Sequence, residues 1–290
     1  MPDARASLTM MPQPLCLRTV SDLRRQVAQW RSEGLRIALV PTMGALHEGH
    51  LSLVRRARQD ADRIIVSIFV NPTQFAPTED FGSYPRTFER DMMLLAEEKA
   101  EAVYAPLPSE IYPQGFDLSI AIGGPAKAGL EDRFRPSFFQ GVAAVVAKLF
   151  TQSQPDLAVF GEKDFQQLAV IRQLVRDLDL TVKIICAPTM RETDGLALSS
   201  RNVYLSADER QRAPQLHLAL QAIRQGLKDG NNADALIAEH SEMLTRAGFE
   251  IDYLEWRDAN SLGPAQSGPN RLLVAAKLGN TRLIDNIAAD

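Results

Sequence analysis

The sequence predicts an α/β protein: a doubly wound parallel sheet followed by a smaller α+β unit. Three observations carry that reading. Short apolar runs alternate with stretches of helical spacing from Val20 to Cys186. Each conspicuous polar motif follows directly on the end of an apolar run, where a parallel sheet keeps its ligands. Near Pro188 the texture changes to a loop rich in Ser, Arg, Asp and Gly, followed by helical segments and then strand-like runs.

A first helix is predicted over Val20–Glu33, with Thr19 or Ser21 near its cap. Ile37–Val40 is short, apolar and closed off by Pro41 and Gly44, as a buried parallel strand requires, and His50–Asp60 has helical spacing. The alternation continues through strand Arg63–Val70, helix Phe88–Lys99, strand Ala102–Ala105 and helix Gly141–Gln152. Strand Leu157–Phe160, helix Phe165–Leu178 and strand Val182–Cys186 complete it. In the last third, helices are expected over Ala207–Lys228 and Ala233–Ala247, joined by a turn at Asp229. Strands follow at Tyr253–Trp256, Arg271–Ala276 and Thr281–Ile284, with residues 264–269 as a polar loop. We therefore expect a loose extension over residues 1–15, with Met10 or Met11 available as an alternative start, a larger domain over 16–187 and a smaller one over 188–290.

Composition narrows the function. The 290 residues can bury a sizeable core, and a formal net charge of -4 argues against a general nucleic-acid binder. Cys16 and Cys186 are the two cysteines and form neither a C-x-x-C nor a zinc spacing, so a reducing cytoplasm is the expected setting. No apolar run reaches the length of about 18 residues that a membrane helix needs, and no signal-peptide pattern opens the chain. A soluble enzyme without membrane or nucleic-acid partners is the expectation.

The chemistry concentrates at three strand ends. Val40–His50 reads V-P-T-M-G-A-L-H-E-G-H and sets His47 and His50 where a strand turns into a helix, whose unpaired N–H groups and dipole favour an anionic phosphate. The bland readings are turn residues or a metal pair. The latter is weakened because the chain has four histidines, and the other two, His217 and His240, lie far along it. Nor is the spacing that of H-E-x-x-H, which puts two rings on one helix face. Val70 leads into Asn71-Pro72-Thr73-Gln74, and the amide of Gln74, like that of Gln167, suits hydroxyl and carboxylate recognition, although each on its own is more often a surface residue. Phe160 leads into Gly161-Glu162-Lys163-Asp164, where Lys163 faces the same crevice unless it is merely a solvated helix-start lysine. Gln167 follows. Residues Asp194–Asn202, D-G-L-A-L-S-S-R-N, offer Ser199, Ser200 and Arg201 on a loop able to close on phosphates, or else simply connect domains. No strand is followed by G-x-G-x-x-G or G-x-x-x-x-G-K-[ST], and no G-x-S-x-G elbow is present, which disfavours nicotinamide oxidoreductases, P-loop kinases and serine hydrolases.

Taken together and in order, P-T-M-G-A-L-H-E-G-H, V-S-I-F-V-N-P-x-Q-F, Y-P-R-T, G-E-K-D-F-Q-Q-L and D-G-L-A-L-S-S-R-N resemble the pantothenate synthetase (pantoate-beta-alanine ligase) family, from about Leu17 to Ile287. A lone His-x-Gly-His belongs to a broader nucleotidyltransferase superfamily. The resemblance implies a Rossmann-like N-terminal domain of that type, a C-terminal lid and a homodimer. It implies condensation of (R)-pantoate with beta-alanine in coenzyme A precursor biosynthesis, through a pantoyl adenylate, with ATP cleaved to AMP and pyrophosphate in the presence of Mg2+. On matching positions it implies ATP contacts from Met43, Gly44, Ala45, Leu46, His47, Glu48, Gly49 and His50. Further ATP contacts fall on Gly161, Glu162, Lys163, Asp164, Met190, Leu198, Ser199, Ser200 and Arg201. His47, His50, Lys163, Ser200 and Arg201 take the catalytic roles, with His50 as proton donor. Gln74 and Gln167 hold pantoate, with Asn71 and Tyr84 nearby. Asp91 is a candidate for aiding Mg2+, although a helix aspartate beside Glu89 is more often simply solvated. The chain departs from the family at Phe138, where the usual residue is histidine. Two alternatives stay open: a nucleotidyltransferase acting on a phosphorylated alcohol, and a nucleotide-binding relative with impaired catalysis.

Overall fold

A computed structural model describes residues 13–75 and 81–289, so most of the expected N-terminal extension lies outside the described residues. The first sheet is built from β1 (Leu15–Leu17), β2 (Ile37–Thr42), β3 (Arg63–Ile68), β4 (Ala102–Tyr104), β5 (Leu157–Gly161) and β6 (Lys183–Ala187). Between and after these run α1 (Val20–Ser32), α2 (Glu48–Arg58), α3 (Phe88–Glu97), α4 (Pro108–Ile111), α5 (Glu131–Phe134), α6 (Phe138–Ser153) and α7 (Phe165–Asp177). The C-terminal part holds α8 (Ala207–Arg212), α9 (Gln215–Lys228) and α10 (Ala233–Arg246), then β7 (Phe249–Asp258), β8 (Asn270–Leu278) and β9 (Thr281–Ala288).

The six strands are parallel throughout, in the order β1-β4-β3-β2-β5-β6. β2 is buried on both sides because its residues alternate between two cores. Ile37 and Leu39 pack with α1, α6 and α7, while Ala38 and Val40 pack with α2 and α3. That double burial is why the strand reads as an unbroken apolar run. From β2 the winding proceeds outward through β3 and β4, then returns to the other side at β5. The switch point lies between β2 and β5, and a crevice opens beyond their carboxyl ends. The doubly wound sheet with a smaller α+β unit is as expected.

The C-terminal sheet is antiparallel, in the order β7-β8-β9. One face covers α9 and α10 through Leu272, Val274 and Ala276, and the other sends Tyr253, Leu273 and Ala275 into the core of the parallel sheet. Three details differ from the sequence reading. The helix expected over Ala207–Lys228 breaks into α8 and α9 at Pro214, which has no N–H to continue the ladder. Helix α6 begins at Phe138 rather than Gly141. Strand β1 escaped notice because three residues show no period, and Leu15, read as part of the extension, already pairs with Ala102.

Candidate active site

The turn after β2 is shaped by a buried carboxylate. Gly44 has φ +81° and Ala45 φ 50°, so the chain turns sharply through left-handed conformations. Asp91, 1% exposed, accepts hydrogen bonds from Ala45 N–H (3.0 Å) and Leu46 N–H (2.9 Å), and Thr87 Oγ1 donates to it (3.0 Å). A Cβ on Gly44 would stand 3.1 Å from its Oδ2. Asp91 is thus neither solvated nor part of the crevice lining; it holds the loop that delivers the histidines.

His47 is the N-cap of α2, and its Nδ1 accepts from Gly49 N–H at 3.1 Å. His50 Nδ1 accepts in turn from His47 N–H at 3.4 Å, a capping box built from two imidazoles with ring centroids 4.1 Å apart. Two helix-start N–H groups expected to meet phosphate are therefore already paired. What the box offers instead is an Nε2–H on each ring, since each Nδ1 is an acceptor. Both rings are held neutral. Burial, then the Lys163 ammonium, lowers His47 to about 4, and burial, His47 and Lys163 lower His50 to about 3.

Lys163 comes from the single 3-10 turn between β5 and α7, with its ammonium 4.0 Å from Asp164 Oδ2. Glu162 points away from the crevice and pairs with Arg271 of β8 at 2.6 Å; the Arg271 guanidinium also lies 4.0 Å over the Phe165 ring. On α7 the two glutamines part company, as a rotation of about 100° per residue dictates. Gln166 is buried, donating to Pro125 O (2.8 Å) and accepting from Glu131 N–H (2.9 Å), whereas Gln167 lines the crevice.

On the opposite wall, Asn71 is a buried bracket. Its Nδ2 donates to Gln74 Oε1 (3.1 Å) and Gly141 O (3.1 Å), and its Oδ1 accepts from Tyr112 OH (2.8 Å). The Gln74 amide nitrogen contacts Met43 Sδ at 3.0 Å, so both ends of that amide are oriented. Gly141 lets α6 approach this turn: a Cβ there would meet Thr73 O at 2.4 Å. The serine loop closes the third side. Leu198 N–H donates to Met190 O (2.9 Å), Ser199 caps the turn that follows, and Ser200 Oγ lies 3.3 Å from Tyr84 OH.

His47, His50, Lys163, Ser200 and Arg201 line one crevice of about 230 Å³ together with Met43, Gly49, Gly161, Asp164, Met190, Leu198, Ser199, Asn71, Gln74, Tyr84 and Gln167. Gly44, Ala45, Leu46, Glu48 and Glu162 do not reach it: Leu46 is core, and Glu48 pairs with Arg55. The crevice opens into a wider cleft of about 780 Å³ beside the C-terminal sheet. At their junction Phe138 carries the Arg135 guanidinium 3.6 Å above its ring, so this wall presents a stacked cation. Behind it, Glu131 accepts two hydrogen bonds from Arg282 (2.8 Å each) and one from Tyr253 OH (2.8 Å). Burial pushes the Glu131 carboxyl up, but Arg282 and its other partners outweigh this and hold it below the usual range. The roles of Asp91, Glu131, Arg135 and Arg271 were not read from the sequence, where Asp91 follows Glu89-Arg90 and Glu131 and Arg135 sit in the charged run E-D-R-F-R that reads as a solvated face. Among the described residues no cluster of three or more His, Cys, Asp or Glu could hold a metal by itself, and no helix is long and apolar enough to cross a membrane.

Comparison with known proteins identifies the family. The family model for pantoate-beta-alanine ligase matches residues 15–288. A pantothenate synthetase from a Bradyrhizobium species is 56% identical, covering 96% of this chain and all of that protein. The crystal structure of pantothenate synthetase from Thermus thermophilus superposes with a TM-score of 0.90 at 44% identity, covering 95% of this chain and 99% of that one. A pantoate-beta-alanine ligase from Francisella tularensis, complexed with beta-gamma ATP and beta-alanine, superposes with a TM-score of 0.77 at 34% identity, covering 95% and 98%. With matches of this identity and extent, the chain belongs to the pantoate-beta-alanine ligase family.

Proposed function

We propose that the crevice binds ATP and pantoate side by side and joins pantoate to beta-alanine through pantoyl adenylate. The observation that carries this is the meeting, at the switch point, of two neutral imidazoles and a lysine with two glutamine amides on the flanking walls. In this reading the pantoate carboxylate, oriented by Gln74 and Gln167, attacks the α-phosphorus and pyrophosphate departs. Charge grows on the phosphoryl oxygens, where the Nε2–H groups of His47 and His50, the Lys163 ammonium and the Ser200–Arg201 pair are aimed. His50 donates a hydrogen bond as a neutral ring, consistent with its lowered pKa. Beta-alanine's amine then attacks the acyl carbon and AMP leaves.

Mg2+ enters as the partner of the ATP phosphates, because this ion keeps several waters and takes one or two carboxylates with substrate oxygens. Asp164 is the carboxylate lining the crevice and would hold it; Asp91, with both oxygens taken by the β2 loop, would not. When bound, Mg2+ supplies charge neutralisation on pyrophosphate. Residues 188–290 act as the lid, shielding the mixed anhydride from water until the amine arrives. A cytoplasmic homodimer belongs to the same reading.

The test is pyrophosphate release from MgATP, with the product identified by mass. Release must require pantoate, and pantothenate must appear on adding beta-alanine. Release that requires a phosphorylated alcohol instead would hand the site to a nucleotidyltransferase, and ATP binding without release would make it a catalytically impaired relative.

A further inference from the structure

Strand β9 places Asp285 and Asn286, 5% and 3% exposed, directly behind the two loops that carry the catalytic groups. The single amide nitrogen of Asn286 donates both its hydrogens to successive main-chain carbonyls, Glu162 O at 3.0 Å and Lys163 O at 2.8 Å. Its Oδ1 accepts from Arg271 Nη1, and Arg271 Nη2 holds the Glu162 carboxylate at 2.6 Å. Next to it, Asp285 grips Arg191 through two hydrogen bonds of 2.6 and 2.8 Å. Arg191 also donates to Gly195 O at 3.0 Å, at the root of the serine loop.

We propose that Asn286 is a positioning residue for adenylation: by pinning both carbonyls of the Glu162–Lys163 turn, it fixes where the Lys163 ammonium meets the phosphates. The turn has no fully buried residue of its own, so packing alone holds it less firmly than a core segment. The Asn286 amide fastens its carbonyls while Arg271 fastens the Glu162 side chain, and with Asp285 beside it one strand of the C-terminal sheet sets the distance between Lys163 and the serine loop. A displacement of about 1 Å in such a group is enough to cost on the order of 100-fold in rate.

The inference rests on the adenylation reading above, so pantoate-dependent pyrophosphate release by the unmodified enzyme is established first; its absence would sink that reading. Asn286→Asp keeps the shape and the Arg271 contact but turns the donor into an acceptor. It is expected to slow adenylation by roughly 10- to 100-fold. Because Asn286 acts through Lys163, the same change in a Lys163→Ala background is expected to add almost nothing. Asn286→Ala, which removes both donors without adding charge, should show the same dependence on Lys163 and serves as the second variant if the aspartate form does not fold. An equal cost with and without Lys163, or no cost in the unmodified background, would overturn the assignment.

Discussion

His47 and His50 combine two jobs in one pair of rings: their Nδ1 atoms cap α2 while their Nε2–H groups face the crevice. Because burial and Lys163 hold them near 4 and 3, both rings stay neutral at physiological pH without any ligand. The resonances of His47 and His50 in the free enzyme should therefore show Nε2–H tautomers with no titration near pH 6.5; a midpoint there for either ring would contradict the arrangement. Unfolded histidines take up protons below about 6.5 that the folded rings refuse, so stability falls as pH drops from there toward 3, and denaturant melts across that window should report the fall. Removing a donor should be costly for chemistry, and for His50 also for the cap of α2, by about 1 kcal/mol. His50→Ala or Lys163→Ala is expected to lower pantoate-dependent adenylation by roughly 100- to 1,000-fold, the scale for losing one transition-state donor. Unchanged turnover from either folded variant would remove it from the mechanism.

Among the elements, α6 and β9 do the placing. Gly141→Ala would push a methyl into the carbonyl of Thr73, which cannot move without carrying Asn71 and Gln74 along. The expected result is a stability loss of about 1–3 kcal/mol with a raised KM for pantoate and little change in KM for ATP. Equal rises in both would place the disturbance elsewhere. Arg282 on β9 bonds Glu131 of α5 and Asp252 on β7 (2.7 Å), tying the C-terminal sheet to α5. Arg282→Ala leaves the buried Glu131 without its hydrogen-bonded cation, with Arg135 remaining at 3.8 Å, and the melting temperature should fall by an amount equivalent to roughly 3 kcal/mol. No shift would mean the pair is incidental. The alternation that exposed α2, β5 and α7 in the sequence gave no hint of these links. Periodicity reports which face of an element is buried and says nothing about which distant element a buried Glu or Arg will meet. For the same reason His47, Lys163 and Gln167 could be read from strand ends, but Asp91 was credited with a metal or with solvent, and Asn286 lay beyond the expected strand Thr281–Ile284, which in the structure runs on to Ala288.

At the scale of the whole molecule, the parallel sheet supplies the switch point and the C-terminal sheet supplies the back wall and the serine loop. The joint between them is anchored at β9, where Asn286 donates to the carbonyls of Glu162 and Lys163. The fold and the family were legible because the polar motifs sit at strand ends in a fixed order. The conformation of the loops was not, since it depends on hydrogen bonds spanning more than 100 residues, such as Asn286 to Lys163. Transfer of oxygen from the pantoate carboxylate to AMP is the signature of an acyl adenylate: pantoate carrying 18O at both carboxylate positions is taken through one turnover with MgATP and beta-alanine, and the products are analysed by mass. The mechanism predicts one 18O atom in AMP and one in pantothenate. Unlabelled AMP, with pantothenate formed, would contradict it.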